Sequence, residues 1–152
     1  MALKIGDSLP HFTAKNAYGE NFDTQNYLGQ KTLVIYFYPK DNTPGCTTQA
    51  CSFRDQYQDF KDLGAEVIGI SSDSEASHEK FANQYQLPFI LLSDPDKKLR
   101  KIFGVTNDYL GLIPGRTTYI VNKQGIIQYI FDSTSAKDHI PQALNAIKAA
   151  DF

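Results

Sequence analysis

Residues 32–51 decide how this chain folds, and they read TLVIYFYPKDNTPGCTTQAC. The run from Thr32 to Tyr38 is apolar and rich in β-branched and aromatic side chains, which is typical of a buried strand. A turn-forming segment with two prolines and one glycine follows. Apolar residues then recur at helical spacing from Cys46 onward. The stretch therefore predicts a strand, a tight loop and a helix in direct succession.

Both cysteines of the 152-residue chain, Cys46 and Cys51, lie in this stretch. A thiol at the start of a helix lies among unpaired backbone N–H groups and at the positive end of the helix dipole. Such a setting favours the thiolate, which is the nucleophilic form of cysteine. The sequence therefore places the chemistry at Cys46. On composition alone the alternative stays open that both residues are unrelated buried cysteines acting as small hydrophobic side chains.

The remaining pattern alternates strands with helices, which indicates a parallel-containing sheet covered by helices. A late hairpin adds antiparallel strands. We therefore predict one domain over residues 1–152 with an α/β, thioredoxin-like fold: a mixed central β-sheet flanked by helices, with an N-terminal β-hairpin. The predicted elements are a hairpin turn at 16–19, strands at 31–38, 65–71 and 89–93, helices at 46–63, 75–85 and 94–103, a hairpin of 116–121 and 126–131, and a last helix capped by Ser135.

The bulk composition narrows the classes of partner and compartment. A net charge of −2 does not favour nucleic acid or an anionic membrane. No run approaches the length of a transmembrane helix, and residues 1–7 lack the features of a signal or transit peptide. We therefore expect a cytoplasmic protein. In a reducing compartment two cysteines serve catalysis or redox chemistry more often than they form a structural bridge.

The spacing of the two thiols limits how they can react with each other. Residues five positions apart on a regular helix have Cα atoms about 8–9 Å apart, whereas a disulfide needs Cα atoms within about 7 Å. Cys46 and Cys51 can therefore bridge only if the first turns of the helix unwind. We expect a folded reduced form and a locally unfolded oxidised form.

Metal and cofactor chemistry is not indicated. A Cys-x4-Cys pair has unusual spacing for zinc, and the histidines at 11, 78 and 139 show no ligand pairing. No glycine-rich phosphate loop follows a strand, and no haem or flavin signature is present. We expect neither a metal nor a cofactor.

The central segment resembles the active-site signature of the peroxiredoxin family. The pattern Pro39-x-x-x-Thr43-x-x-Cys46, with Cys51 five residues further on, is similar to the PrxQ or bacterioferritin-comigratory-protein subfamily. Downstream, residues 115–121 (GRTTYIV) match the segment that carries the family's active-site arginine. The resemblance covers essentially the whole chain.

This resemblance implies an antioxidant enzyme, an atypical two-cysteine peroxiredoxin that reduces hydrogen peroxide and organic hydroperoxides. Cys46 would be the peroxidatic cysteine, which becomes a sulfenic acid. Cys51 would be the resolving cysteine, which closes an intramolecular Cys46–Cys51 disulfide. A thioredoxin-type dithiol would then restore both thiols by exchange.

Other site residues follow from the same resemblance. Arg116 would stabilise the thiolate and the charge on the departing oxygen. Thr43 would hydrogen-bond the thiolate and the peroxide, and Pro39 would close over the thiol and restrict water. Two positions depart from the family pattern: Gln49 stands where many relatives have Glu, and His11 where Asp is common. Gln49 keeps hydrogen-bonding capacity but carries no charge.

Two functions of other kinds stay open from the residues alone. A general disulfide reductase would share the fold but would have a Cys-x-x-Cys motif, whereas four residues separate the cysteines here. A third interpretation is a binding or chaperone module whose thiols have no part in its function. Because an internal disulfide needs no partner subunit, we expect a monomer, with a weak homodimer as the alternative.

Overall fold

The computed structural model describes residues 3–105, 107–108, 113–114, 116–132 and 138–149. The strands in these residues are β1 (Thr13–Asn16), β2 (Asn21–Asp23), β3 (Thr32–Phe37), β4 (Ala65–Ser71), β5 (Ile90–Ser93), β6 (Asn107–Asp108), β7 (Ile113–Pro114), β8 (Thr117–Val121) and β9 (Ile127–Asp132). The α-helices are α1 (Pro44–Asp55), α2 (Tyr57–Asp62), α3 (Glu75–Tyr85), α4 (Lys98–Phe103) and α5 (His139–Ala149), and a 3₁₀ helix spans Thr24–Asn26.

Seven of these strands form one mixed sheet in the order β2-β1-β5-β4-β3-β8-β9. The strands β3, β4 and β5 run parallel to their neighbours within this group. The hairpin β1–β2 joins one edge and the hairpin β8–β9 the other, both through antiparallel pairs. The predicted mixed central sheet with an N-terminal hairpin is therefore confirmed. The short strands β6 and β7 pair with each other outside this sheet.

Strand β3 lies in the middle of the core and is buried along its whole length. Because successive side chains of a strand point to opposite faces, β3 supplies both layers of the core. On one face Tyr36 packs with α1, α2, α3 and α5 residues, and on the other Phe37 packs with residues of α4 and the N-terminal strands. A strand covered on both faces explains the unbroken apolar run in the sequence.

The helix that carries the two cysteines is shorter than the sequence pattern predicts. Instead of one helix from 46 to 63, α1 ends at Asp55 and α2 begins at Tyr57, with Gln56 in a non-helical conformation (φ −100°, ψ 4°). The apolar spacing continues across this break, so periodicity alone does not reveal it. The predicted stop at Gly64 does hold, since Gly64 adopts a left-handed φ of 76°.

Helix α5 covers the sheet next to α1. The predicted inward-facing stripe is buried, and it comprises Ile140, Ala143, Leu144 and Ile147. The predicted cap of this helix, Ser135, lies outside the described residues.

Gly69 of β4 has no side chain, and the Tyr36 ring occupies the space next to it. A Cβ atom at position 69 would lie 2.8 Å from Tyr36 Cζ, 2.9 Å from its hydroxyl oxygen and 3.0 Å from Leu91 Cδ2. We expect Gly69→Ala to lower the free energy of unfolding by about 1–3 kcal/mol, because overpacking displaces the ring. Urea denaturation measures this change. The double variant Gly69→Ala/Tyr36→Leu should lose less than the sum of the single variants, and additive losses would contradict the clash.

Candidate active site

Cys46 lies at the start of α1 with its thiol turned into the core. Thr43 is the extended N-cap residue of this helix, and Pro44 occupies the first helical position, where the missing N–H of proline costs no hydrogen bond. Cys46 is 1% exposed and packs in the same cluster as Ala50 and Phe53 of α1. The thiol therefore points inward and lies beside the free N–H groups of the first helical turn, as expected from the sequence.

Arg116 approaches this thiol from the start of β8, the strand that pairs with β3. It immediately precedes β8, and its side chain is buried although it carries a permanent charge. One terminal nitrogen, Nη2, donates to the Cys46 sulfur at 3.4 Å. A guanidinium in a poorly solvated site interacts strongly with a negative sulfur. The structure thus joins two predicted site residues that lie 70 positions apart in the sequence.

Gln49 completes the contact, although in the sequence it is notable only as a departure from a family pattern. It is completely buried, and its Oε1 accepts a hydrogen bond from the second terminal nitrogen of Arg116, Nη1. The amide orients the guanidinium through this hydrogen bond and, unlike a carboxylate, adds no negative charge beside it. Its spacing of three residues from Cys46 on one helix was the available signal, since such residues share a face. Among the described residues, Gln49 Nε2 has no hydrogen-bond partner.

Thr43 and Pro39 lie on the loop between β3 and α1, both half-buried. The Thr43 hydroxyl donates to the Lys40 carbonyl at 3.0 Å, and the Thr43 carbonyl accepts from the backbone N–H of Thr47 at 2.8 Å. In the described part of the chain the Thr43 hydroxyl is thus bonded within its own loop and not to the Cys46 sulfur.

Cys51 is half-buried on the same helix as Cys46, and both are free thiols. Helix α1 runs without interruption from Pro44 to Asp55, so it includes both cysteines. At the separation that a regular helix imposes, the two sulfur atoms cannot bond. In this structure both thiols are therefore reduced and the helix is folded, as expected from their spacing.

Tyr36 belongs to the same buried cluster as Cys46, and its burial indicates a packing role. Its ring stacks on Phe53 and Tyr38, with centroids 4.5 Å and 5.3 Å away. Burial raises the pKa of the Tyr36 phenol well above its ordinary value, and the neighbouring Cys46 raises it further. Tyr36 therefore stays a neutral phenol and does not act as a second ionised group beside the sulfur.

A cysteine beside a buried arginine is an activated nucleophile, and the arginine can stabilise charge on a departing oxygen. In a thioredoxin-like fold this arrangement suits a thiol-dependent peroxidase. Comparison with known proteins agrees. The AhpC/TSA profile matches residues 5–130, so the chain belongs to the AhpC/TSA family. The chloroplastic peroxiredoxin Q of Triticum aestivum is 49% identical over 144 residues, which are 94% of this chain and 66% of that protein. The chain thus spans just under two thirds of the wheat protein.

Two solved structures are similar over nearly the whole chain. Peroxidoxin BcpB of Mycobacterium tuberculosis is 31% identical with a TM-score of 0.90, over 99% of each chain. The bacterioferritin comigratory protein of Xanthomonas campestris, described for its alkyl peroxide reduction activity, is 29% identical with a TM-score of 0.86, over 94% of this chain and 98% of that one. The predicted fold, the peroxiredoxin Q resemblance and the class of thiol-dependent peroxidase, an oxidoreductase, are therefore confirmed.

The expected cytoplasmic location is wrong on these comparisons. The relatives from wheat, Sedum lineare and Arabidopsis thaliana are named as chloroplastic proteins. The expectation was based on residues 1–7, which lack the features of a signal or transit peptide, and the lack of such features there does not identify a compartment. In the described part of the chain, none of the helices has the length and apolar character needed to cross a membrane.

The orienting role of Gln49 can be tested with variants that remove or keep its hydrogen-bond acceptor for Arg116. We expect Gln49→Leu to slow the reaction of Cys46 with peroxide by about tenfold or more, because the buried guanidinium loses its orienting partner. The second-order rate constant from stopped-flow measurements shows this. Gln49→Glu is the matched control, since it keeps the size and an acceptor oxygen, and it should lose less. A Gln49→Leu rate equal to that of the wild type would contradict the orienting role.

Proposed function

We propose that this chain reduces hydrogen peroxide and small organic hydroperoxides through a two-cysteine cycle, as a single domain over residues 1–152. The observation that supports it best is the 3.4 Å contact between Arg116 Nη2 and the Cys46 sulfur in a buried site. The alkyl peroxide reduction activity described for the similar Xanthomonas campestris protein supports the substrate class.

In the first step the Cys46 thiolate attacks the terminal oxygen of the hydroperoxide. A sulfur–oxygen bond forms, the oxygen–oxygen bond breaks, and the departing oxygen takes a proton and leaves as water or an alcohol. Arg116 faces the sulfur and stabilises the negative charge as it moves from sulfur to the departing oxygen. The N–H groups of the first turn of α1 stabilise the same charge.

The loop residues would orient the peroxide and exclude water. The Thr43 hydroxyl proton is directed at the Lys40 carbonyl. The lone pairs of this hydroxyl oxygen are therefore free to accept the O–H of a bound hydroperoxide, which would hold the two reacting atoms in line. Pro39 has no N–H, and its half-buried ring would shield the thiol from water without adding a competing donor.

In the second step Cys51 resolves the sulfenic acid. Its sulfur bonds to the Cys46 sulfur, the sulfur–oxygen bond of the sulfenic acid breaks, and water leaves. Since both cysteines lie on the intact helix α1, this step requires the start of that helix to unwind. A thioredoxin-type dithiol then reduces the disulfide by exchange, and the two protein thiols are restored. Because the disulfide forms within one chain, we propose a monomer, with a weak homodimer as the alternative.

The cycle predicts distinct masses for the reduced protein after one equivalent of hydrogen peroxide. The wild type should lose two hydrogen atoms as its disulfide forms. Cys51→Ser should gain one oxygen and stop as the sulfenic acid, and Cys46→Ser should remain unchanged. Intact-mass spectrometry distinguishes these products. An unchanged wild type would refute the peroxidase cycle, and peroxide-linked turnover by Cys51→Ser at the wild-type rate with thioredoxin would refute the resolving role.

Disulfide formation should also change local stability. We expect the amides of residues 46–55 to lose hydrogen-exchange protection in the oxidised wild type, because a disulfide cannot form across the intact helix. The amides of Val34 and Ile68, in the central strands, should keep theirs. Cys51→Ser treated with peroxide is the control, since it cannot form the bridge. Equal protection of residues 46–55 in reduced and oxidised wild type would contradict the unwinding.

A further inference from the structure

A buried hydrogen-bond network holds the loop before the catalytic helix, and its centre is Asp41. The side chain of Asp41 is 2% exposed and takes part in three side-chain hydrogen bonds. The Tyr38 hydroxyl donates to Oδ1 at 2.6 Å, and the Ser77 hydroxyl donates to Oδ2 at 2.9 Å. The third partner is His78 Nδ1, 2.7 Å from Oδ2. Ser77 and His78 belong to α3, so this carboxylate ties the loop to a helix far away in the sequence.

His78 links this carboxylate to the sheet. Its Nε2 lies 3.0 Å from the Leu92 carbonyl of β5, and a carbonyl can only accept, so Nε2 carries a proton. On the other side of the ring, Nδ1 and Asp41 Oδ2 share a hydrogen bond of 2.7 Å. The Tyr38 and Ser77 hydroxyl groups donate to the same carboxylate. His78 therefore connects the loop, through Asp41, to both α3 and β5.

The backbone of the loop is attached to the same framework. The Asp41 N–H donates to Asp73 Oδ2 at 2.8 Å, and Asp73 Oδ2 also accepts from the Ser71 hydroxyl at 2.7 Å. The Tyr38 carbonyl accepts from Arg100 Nη2 at 3.3 Å. These partners lie in β4, in the segment that follows it, and in α4. None of the named members of the network belongs to α1.

The same cluster has the spacing of a possible metal site, but its hydrogen bonds favour attachment of the loop. Asp41, Asp73 and His78 bring their ligand atoms within 4.8 Å of one another. Each of them already bonds to donors or acceptors of the protein, as described above, so a metal ion would have to displace several hydrogen bonds. The cluster therefore acts as an attachment of the loop.

The attachment ends where the catalytic helix begins. Asn42, directly after Asp41, has a left-handed φ of 62°, a conformation that asparagine tolerates better than most residues. Thr43 and Pro44 then start α1. The chain thus passes within two residues from a fixed loop to the helix that carries both cysteines.

We propose that His78 is a positioning residue of the peroxidatic site: through Asp41 it holds residues 39–43, which include Pro39 and Thr43, in place next to the start of α1. This inference rests on the proposed function. Because the network makes its contacts outside α1, it holds the loop while the helix unwinds, and the loop is in position again when the helix refolds. The peroxide step should therefore depend on His78, whereas the resolving step within α1 should not.

Two substitutions at His78 separate its contact with Asp41 from its bulk. The amide nitrogen of His78→Asn reaches about as far as Nδ1 and can still donate to Asp41, whereas the longer side chain of His78→Gln reaches the Leu92 carbonyl. We expect His78→Gln to lower the second-order rate constant with hydrogen peroxide by about 10–100-fold, as for a displaced positioning group. His78→Asn should stay within a few-fold of the wild type. In both variants the rate of disulfide formation should change little.

A milder pair on the same helix keeps the test decisive if the His78 variants fail to fold. Ser77→Ala removes one donor to Asp41. Ser74→Ala removes the N-cap hydrogen bond of α3 without a contact to Asp41 and is its control. Stopped-flow measurement of both chemical steps, with thermal unfolding to verify folding, should show a slower peroxide step for Ser77→Ala than for Ser74→Ala.

The outcomes separate this inference from the proposed function. Equal rate constants for His78→Gln and His78→Asn, or for the two serine variants, would overturn the positioning role. Equal slowing of the peroxide and resolving steps would overturn it as well. A wild type that does not react with peroxide would overturn the proposed function and the role of His78 together, whereas a reactive wild type with equal variants overturns only the latter.

Discussion

The buried contact between the Arg116 guanidinium and the Cys46 sulfur is the interaction on which the site depends. A buried positive charge is strongly destabilising unless it is paired and hydrogen-bonded. Here one terminal nitrogen faces sulfur and the other faces the Gln49 amide. The sheet makes this contact possible, because Thr117 of β8 pairs with Phe37 of β3. That register brings Arg116 to the end of β3 from which the loop to Cys46 starts.

The helix that carries the thiols meets two opposing requirements. It must be folded at its start, so that its dipole and N–H groups act on the Cys46 sulfur. It must also open if Cys51 is to reach that sulfur. The break at Gln56 makes α1 a short helix rather than the first half of a long one, and a short helix depends on packing for its stability. The loop before it, by contrast, is attached through Asp41 to elements that need not move.

The sequence predicted elements well where local signals were complete. The strand at 65–71 and the helix at 75–85 were predicted with the bounds that β4 and α3 have. Here a polar cluster with Ser74 as N-cap marks the boundary between strand and helix. The helix predicted to reach residue 63 was wrong in its length. Its apolar spacing continues through Phe53 and Phe60, while the backbone departs from helix between them at Gln56. Periodicity reports which side chains are buried, and two packed helices can satisfy it as well as one.

What the sequence determined by itself was local: an apolar strand, a turn-rich loop, a thiol at a helix start and a second thiol too far along that helix to bond. These features follow from side-chain periodicity and backbone preference over a few residues. Only the tertiary structure decided that Gln49 orients Arg116, and that Asp41 pairs with His78, 37 positions away. Such contacts depend on strand register and on which helix covers which face of the sheet. These are properties of the packed chain, and no short stretch of residues encodes them.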